Sequence, residues 1–231
     1  MKSFTKPWLS LTLVAALSVP VAGNAVTIIG NNLSGNGSGT TLEDNDAEAA
    51  GFTLGAASYI LDNVILRLKN NGSSSGDDPL ANLSIWSNNS SNKPGTNLKV
   101  LNQIISSNIN NEISSTSASN YTFTPATQLI LQAGIKYWLV LSDGRNISDD
   151  LVWLSNGTPS GSHATNNGYL ISTNNGGTWS SSTTKNQYQI NGTLVPAVSV
   201  PYSASLWQGL AVVLLGGYMM VSLNRKRVYQ D

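Results

Sequence analysis

Residues 133–141 read Ala-Gly-Ile-Lys-Tyr-Trp-Leu-Val-Leu, and this stretch decides the fold of the chain. An Ala-Gly turn leads into a short run that is apolar at both sets of alternating positions, as Trp138 and Leu139 illustrate. Successive side chains of a β-strand point to opposite faces of the sheet, so a strand of this kind is covered on both faces. Ile135 to Leu141 is therefore predicted to lie near the centre of a sheet.

Tyr59 to Leu68 predicts a second, half-buried strand. Val64, Leu66 and Leu68 fall on one face of it, while Arg67 falls on the other. This alternation has the period of two that a strand with one buried face requires.

Short apolar runs of the same kind recur along the chain, with Gly, Asn and Pro between them, and no helical periodicity occurs before residue 206. Gly30 to Thr41 is almost wholly Gly, Asn, Ser and Thr, which predicts a loop or a weak edge. The pattern predicts about ten short strands in a single β-sandwich of the jelly-roll kind. The further strand candidates are Val26 to Ile29, Ala50 to Leu54, Leu80 to Trp86, Leu98 to Ile105, Tyr121 to Thr124, Gln128 to Leu131, Leu151 to Leu154, Gly168 to Ser172 and Gln187 to Val195.

The composition supports short strands and excludes several classes of protein. About a third of the chain is Asn, Ser or Thr, only 10% is charged, and the formal net charge is +0. A chain with no Cys has no disulfide framework, thiolate zinc site or cysteine nucleophile. Balanced charge offers no basic footprint for nucleic acid, so we expect no nucleic-acid partner.

Residues 1–25 have the features of a secretory signal peptide. Lys2 and Lys6 give a positive start, Leu9 to Ala22 is mostly apolar, and Gly23-Asn24-Ala25 places small residues at a cleavage site. We expect export, with residues 26–195 as the exported β-sandwich domain.

The C-terminal end predicts one transmembrane helix. Leu206 to Leu223 is apolar apart from Gln208, Ser222 and three glycines. Eighteen residues at the helical rise span about 27 Å, enough for a thin bilayer. The basic tail, residues 224–231, would stay on the cytoplasmic side and leave the main domain outside.

The order of Pro, apolar helix and basic cluster resembles bacterial tripartite C-terminal sorting signals of the PEP-CTERM and IPTL-CTERM type. The residues that carry this likeness are Val200, Pro201, Arg225, Lys226 and Arg227, with residues 196–205 as linker and sorting motif. The resemblance implies a membrane protease of the exosortase-like type that removes the helix. The chain has neither the Pro-Glu-Pro nor the Ile-Pro-Thr-Leu block. A plain single-pass anchor is the alternative.

Three segments resemble the choice-of-anchor R domain over roughly residues 48–193. They are Ser58 to Leu68, Leu83-Ser84-Ile85-Trp86 with the following Pro94-Gly95 and Leu98, and the run from Leu129 to Leu141. The resemblance implies an exported bacterial β-sandwich domain that carries an anchoring signal. It implies no catalytic residues.

Residues 172–179 read Ser-Thr-Asn-Asn-Gly-Gly-Thr-Trp and fit an Asp-box pattern, with Asn174 in the Asp position. An Asx side chain binds nearby backbone, a glycine takes positive φ, and Trp179 packs over the hairpin. The motif predicts a structural turn, with glycan contact by Trp179 as the alternative. A β-propeller would need further copies of the motif, and the sequence has one.

Tryptophan supplies the possible ligand contacts. Trp86, Trp138 and Trp153 lie in predicted strands and could form a platform for a sugar, although tryptophan in strands more often belongs to the core. We take Trp179, Trp86 and Trp153 as the possible glycan contacts, with surface polysaccharide as the partner.

The acidic cluster at residues 43–48 offers weak candidates for calcium binding. Asp44, Asp46 and Glu48 could supply oxygen ligands to Ca²⁺. The cluster does not fit an EF-hand loop, because Ala49 stands where the loop needs Gly. Solvated loop charge is the plainer interpretation.

The titratable residues suggest no enzyme. His163 is the only imidazole, and Asp62, Glu112 and Asp143 form no recognisable pair. The Gly-x-Ser-x-Gly pattern at Gly72 to Gly76 lies in a predicted Gly/Ser turn and not between a strand and a helix, so it predicts no nucleophile elbow. We therefore predict an exported, non-catalytic protein of the cell surface or extracellular matrix, held first in the inner membrane as a single-pass precursor. A carbohydrate-binding module is the first alternative, and a glycan hydrolase the second.

Overall fold

In the computed structural model, residues 23–43, 45–72, 78–103, 112–113, 115–144 and 150–196 are described. This part of the chain forms thirteen strands and no helix, so the all-β prediction is confirmed. The strands are β1 (Ala25–Gly30), β2 (Gly39–Leu42), β3 (Ala47–Leu54), β4 (Tyr59–Asn70), β5 (Ala81–Asn88), β6 (Pro94–Gln103), β7 (Ser119–Pro125), β8 (Ile130–Leu131), β9 (Lys136–Asp143), β10 (Leu151–Leu154), β11 (Ala164–Ser172), β12 (Ser180–Ser182) and β13 (Tyr188–Leu194).

The strands pair antiparallel in one sheet, whose main path runs β1-β13-β4-β7-β6-β5-β9-β3-β11-β12. The sheet is curled into a half-barrel. Gly30, at the end of β1, exchanges backbone hydrogen bonds of 3.1 and 2.8 Å with Ser160, which precedes β11. This bridge links β1, at one end of the path, to the segment before β11, near the other end. The inner face of the curled sheet holds the main core.

β4 organises one half of the sheet, because both of its edges are paired along most of its length. Along one edge of β4, β13 pairs with the segment from Tyr59 to Leu66, and β10 pairs with the segment from Leu68 to Asn70. β8 and β7 pair with β4 along its opposite edge. The alternation predicted from the sequence is confirmed, since Val64, Leu66 and Leu68 are all fully buried.

β9 confirms the prediction made from the decisive stretch. It lies between β5 and β3 and is buried on both faces. Tyr137, Leu139 and Leu141 enter the main core on the inner face, whereas Trp138 and Val140 enter a smaller cluster on the outer face.

β2 and β12 were absent from the predicted set of strands. β2 begins within the segment predicted as loop or weak edge and ends one residue beyond it, and β12 is a run of three serines. Both are short and sit at the margin of the sheet, where pairing with β10 and with β11 gives them strand geometry.

Candidate functional site

The outer face of the sheet carries a cluster of tryptophans that is separate from the main core. Trp138 and Val140 of β9 pack with Ala47 and Ala49 of β3 and with Trp179, and Trp86 packs against them. We call this set the outer cluster. Its position follows from strand alternation, because Trp138 pairs across the sheet with Trp86 on one side and with Gly51 on the other.

Gly51 provides the space for the Trp138 ring. A Cβ placed on Gly51 would lie 2.8 Å from Cζ3 of Trp138, closer than two carbon atoms approach without displacement. The Nζ atom of Lys136 stands 4.1 Å from the centroid of the same ring, and Trp138 Nε1 donates to Asn88 Oδ1 at 2.9 Å. Trp138 is thus fixed as a buried platform, 1% exposed.

The loop of residues 172–179 forms the structural turn that its sequence predicts. Asn174 Oδ1 accepts hydrogen bonds from the Thr178 backbone N–H at 2.8 Å and from Ser172 Oγ at 2.9 Å. Gly176 adopts a positive φ of 82°, and its N–H donates to Ser172 Oγ at 2.9 Å. Trp179 then folds back into the outer cluster, only 5% exposed.

A second set of hydrogen bonds fixes the tip of this loop. The backbone N–H of Asn175 donates to the Asn45 carbonyl at 2.7 Å, and Asn175 Nδ2 donates to Asn45 Oδ1 at 2.8 Å. Asn175 holds a φ of 53°, a left-handed conformation that Asn tolerates better than most residues. The loop therefore keeps one position relative to the outer face.

A groove of about 300 Å³ lies between this loop and the outer face of β5, β6 and β9. We call it the Trp86 groove. The strand register builds it from three cross-strand rows, in which Trp86 pairs with Asn97, Ser84 with Val100 and Val140, and Asn82 with Ser142. The loop adds Asn175 and Gly176.

The groove is uncharged and mixes polar with apolar groups. None of the described residues that line it carries a formal charge. Its amide and hydroxyl groups come from Asn82, Ser84, Asn97, Ser142 and Asn175. Each amide supplies both donors and an acceptor, so the lining can exchange hydrogen bonds with a ligand that has hydroxyl groups.

Trp86 is the aromatic wall of the groove. Its ring is half-buried, and its Nε1 donates to Ser84 Oγ at 2.7 Å, which fixes the orientation of the indole. A Cβ placed on Gly176 would lie 3.8 Å from Cη2 of Trp86 and 3.3 Å from Cζ2 of Trp179. The glycine thus lets the loop approach both rings closely.

The other two proposed glycan contacts lie elsewhere. Trp153 is 0% exposed in the main core, where its Nε1 donates to the Gln187 carbonyl at 2.9 Å, so its ring offers no face to a ligand. Trp179 is buried in the outer cluster. Of the three tryptophans, the structure places only Trp86 on a groove.

Two of the three calcium candidates, Asp46 and Glu48, lie within the described structure. Asp44 lies outside the described residues, and Asp46 is half-buried beside the turn. Glu48 is 0% exposed on β3. No group of three acidic or histidine side chains with metal-binding spacing occurs within the described ranges. The calcium site therefore stays a prediction that Asp44 would have to complete.

Glu48 is a buried carboxylate held by neutral donors. Asn186 Nδ2 donates to its Oε2 at 2.6 Å and Ser182 Oγ to its Oε1 at 3.3 Å. Burial raises the pKa of Glu48 to about 7, and the hydrogen bonds offset only part of that effect. Glu48 thus binds a proton near neutral pH.

The residues considered for catalysis have structural partners. His163 Nδ1 is 2.8 Å from the Tyr59 hydroxyl, and the two rings are 5.4 Å apart. Asp143 accepts the Leu80 N–H at 3.2 Å. Asp62 accepts Thr193 Oγ1 at 2.9 Å. Each of these groups stabilises a junction between segments of the sheet.

Several predicted segments lie outside the described residues: residues 1–22 of the predicted signal peptide at 1–25, the predicted helix at 206–223, and the sorting residues Val200, Pro201, Arg225, Lys226 and Arg227. Within the described ranges, no helix has the length and apolarity needed to cross a bilayer.

No protein-family model matches the chain, and no curated protein matches it.

The groove contains residues that the sequence did not single out. Asn82, Ser84 and Trp86 share one face of β5 at alternating positions, which is a signal that the sequence carries. Asn97 and Ser142 join them only through the register of β6 and β9, and no local pattern encodes that pairing.

Proposed function

We propose that the chain is an exported, non-catalytic β-sandwich protein of the cell surface or extracellular matrix, sorted by its C-terminal signal. The observation that carries this proposal is the joint presence of a signal-like N-terminus and the Pro–apolar–basic arrangement at the C-terminus. The resemblance to choice-of-anchor R domains and to PEP-CTERM or IPTL-CTERM signals supports it.

The β-sandwich assignment is supported by the curled antiparallel sheet and its single inner core. Opposite parts of the curled sheet face each other across that core, as the two layers of a jelly roll do.

A non-catalytic role is supported by the use that the fold makes of its titratable groups. His163, Asp62 and Asp143 bind structural partners, and Glu48 is enclosed. General acid–base catalysis needs a positioned group with access to substrate. These residues serve the sheet instead.

Sorting is tested by deleting residues 200–231 and fractionating the cells. We expect the truncated protein to leave the envelope fraction, because the apolar segment and the basic tail would both be lost. As a matched control, Arg225, Lys226 and Arg227 are replaced by Gln in the full chain, which retains the apolar segment. Unchanged retention of the deletion variant would contradict sorting.

The mass of the mature protein separates processing from plain anchoring. A product that has lost Arg225 to Arg227 supports removal of the helix by an exosortase-like protease. A mature protein that still carries them supports a single-pass anchor.

Carbohydrate binding is a second candidate function, favoured by the Trp86 groove. A half-buried indole fixed by its Nε1 stands beside several side-chain amides in an uncharged groove. Ligand sites typically combine an apolar or aromatic surface with a few placed polar groups.

A further inference from the structure

The Trp86 groove has three properties that together restrict what it binds. It is open to solvent on the outer face, hydrogen bonds fix Trp86 and Asn175 in its walls, and its described lining residues are uncharged. Its volume of about 300 Å³ is at the small end of the range for ligand pockets.

The position of the polar groups favours a polyhydroxylated ligand over an apolar one. Asn97 stands beside Trp86 in one cross-strand row, Asn82 stands beside Ser142 four residues along the strands, and Asn175 lines the groove from the loop. Burying an apolar ligand here would remove the exposed amides of Asn82 and Asn97 from water without a replacement partner, which costs free energy. Hydroxyl groups at the same positions would satisfy them.

The indole of Trp86 suits the other side of such a ligand. A pyranose ring has apolar C–H faces and a polar hydroxyl rim. An aromatic ring packs against the C–H face while neighbouring amides bind the rim, and the Nε1 of Trp86 is already bound to Ser84.

The lack of charge among the described lining residues of the groove favours neutral saccharides over acidic ones. A carboxylated or sulfated sugar would bring a negative charge into a groove whose described lining residues include no cation, and removing that charge from water without a partner is unfavourable. A neutral sugar meets no such penalty.

We propose that the Trp86 groove binds a neutral saccharide, of roughly one sugar ring in extent, stacked on Trp86 and hydrogen-bonded by Asn82, Asn97 and Asn175. This inference rests on the carbohydrate-binding candidate function and specifies its site and ligand class.

The test measures saturation-transfer NMR and titration calorimetry with the full chain, purified in a detergent that has no sugar headgroup. The neutral probes are cellotetraose, maltotetraose and chitotetraose, and the acidic probe is an oligogalacturonate. We expect at least one neutral probe to bind with Kd on the order of millimolar or tighter. We expect the acidic probe to bind at least about tenfold more weakly.

Two variants locate the site. Trp86→Ala removes the stacking surface, and a double variant, Asn82→Ala with Asn97→Ala, removes two exposed amides without touching the core. Each is expected to weaken neutral binding at least about tenfold. Gln128→Ala, an exposed amide outside the groove, is the matched control and is expected to bind like the unaltered chain. If Trp86→Ala lowers the melting temperature, loss of binding could come from destabilisation, and the binding of the double variant is then used to test the site.

Each negative result contradicts a different part of the inference. Neutral binding that persists in both variants overturns the groove as the site while carbohydrate binding stands. Preference for the acidic probe overturns the neutral ligand class. Absence of binding to every probe overturns both the inference and the candidate function on which it rests.

Discussion

At the scale of single residues, the buried carboxyl group of Glu48 makes the stability of the domain depend on pH. A carboxyl group whose pKa is raised in the folded state binds protons more tightly there than in the unfolded chain. For Glu48 the pKa is about 7 when folded, against 4.5 as its ordinary value. Stability is therefore expected to fall as the pH rises from about 4.5 to 7 and then to level off.

The corresponding prediction concerns Glu48→Gln. We expect the free energy of unfolding of the unaltered domain to fall by about 3 kcal/mol relative to the variant between pH 4.5 and pH 8, because the variant has no charge to bury. Asn186 Oδ1 has no hydrogen-bond partner among the described residues, and the introduced amide could donate to it. Urea unfolding of residues 23–196 at several pH values measures this difference. A difference that stays constant with pH would contradict the prediction.

Gly51 gives a second prediction at this scale. Gly51→Ala places a Cβ against the buried Trp138 ring, and overpacking of this kind typically costs about 1–3 kcal/mol. Gly144→Ala is the matched control, because its Cβ would meet only the far end of the exposed Asn82 side chain, which is free to move. Thermal unfolding of both variants compares the two. Equal melting temperatures would show that Trp138 is not fixed as described.

At the scale of elements, the loop of residues 172–179 depends on one side-chain oxygen. Asn174 Oδ1 accepts from Thr178 N, from Thr178 Oγ1 and from Ser172 Oγ. All of these bonds use the oxygen and none the amide nitrogen. The side chain therefore acts as an acceptor, which is the role that Asp plays in the motif it resembles.

We accordingly expect Asn174→Ala to destabilise the domain by about 1–2 kcal/mol and Asn174→Asp to retain nearly full stability. The alanine variant is also expected to weaken binding in the Trp86 groove, since the loop carries Asn175. Denaturant unfolding and amide hydrogen exchange of residues 172–179 measure the two effects. Equal loss in both variants would mean that the acceptor oxygen is not what holds the loop.

The elements also show how far sequence reasoning reaches. The double-sided apolar pattern of residues 135–141 was enough to place β9 inside the sheet, and the alternation of residues 59–68 was enough to orient β4. β2 and β12 carry no such pattern, because their strand geometry comes from their partners. Short polar edges are therefore the part of the fold that local sequence encodes least.

Likewise, only some residues of the candidate site could be predicted from the sequence. Trp86 and Asn175 belong to segments that the sequence had marked, one as a strand and the other as a turn. Trp153 was marked too, but β10 is buried at all four of its residues, so this ring lies in the core. Asn97 and Ser142 required the register of three strands.

At the scale of the whole molecule, the sheet depends on its last strand. β13 lies between β1 and β4 and contributes the fully buried Tyr188 and Ile190. Without it, β1 loses its only strand partner on the main path of the described sheet. The fold is thus complete only when both ends of the domain are present.

The prediction is that a chain of residues 23–186 yields no protease-resistant core, whereas residues 23–196 yield a resistant one. Limited proteolysis followed by mass spectrometry compares the two, and circular dichroism of the longer chain should show mainly β structure. A resistant core in residues 23–186 would show that the sheet is stable without β13.

The antiparallel pairing of β1 with β13 also determines how the domain bears load. Ala25 pairs with Thr193, so the chain enters and leaves the sheet at neighbouring points. A pulling force applied between these two points would break the hydrogen bonds of the β1–β13 ladder one after another, beginning at Ala25 and Thr193. It would not load all the bonds together in shear. A domain tethered at both ends would therefore yield at low force, whereas one tethered only at its C-terminal end would carry none of that load through β1. Single-molecule pulling from residues 25 and 194 is expected to record a lower rupture force than pulling in a direction that loads the ladder in shear.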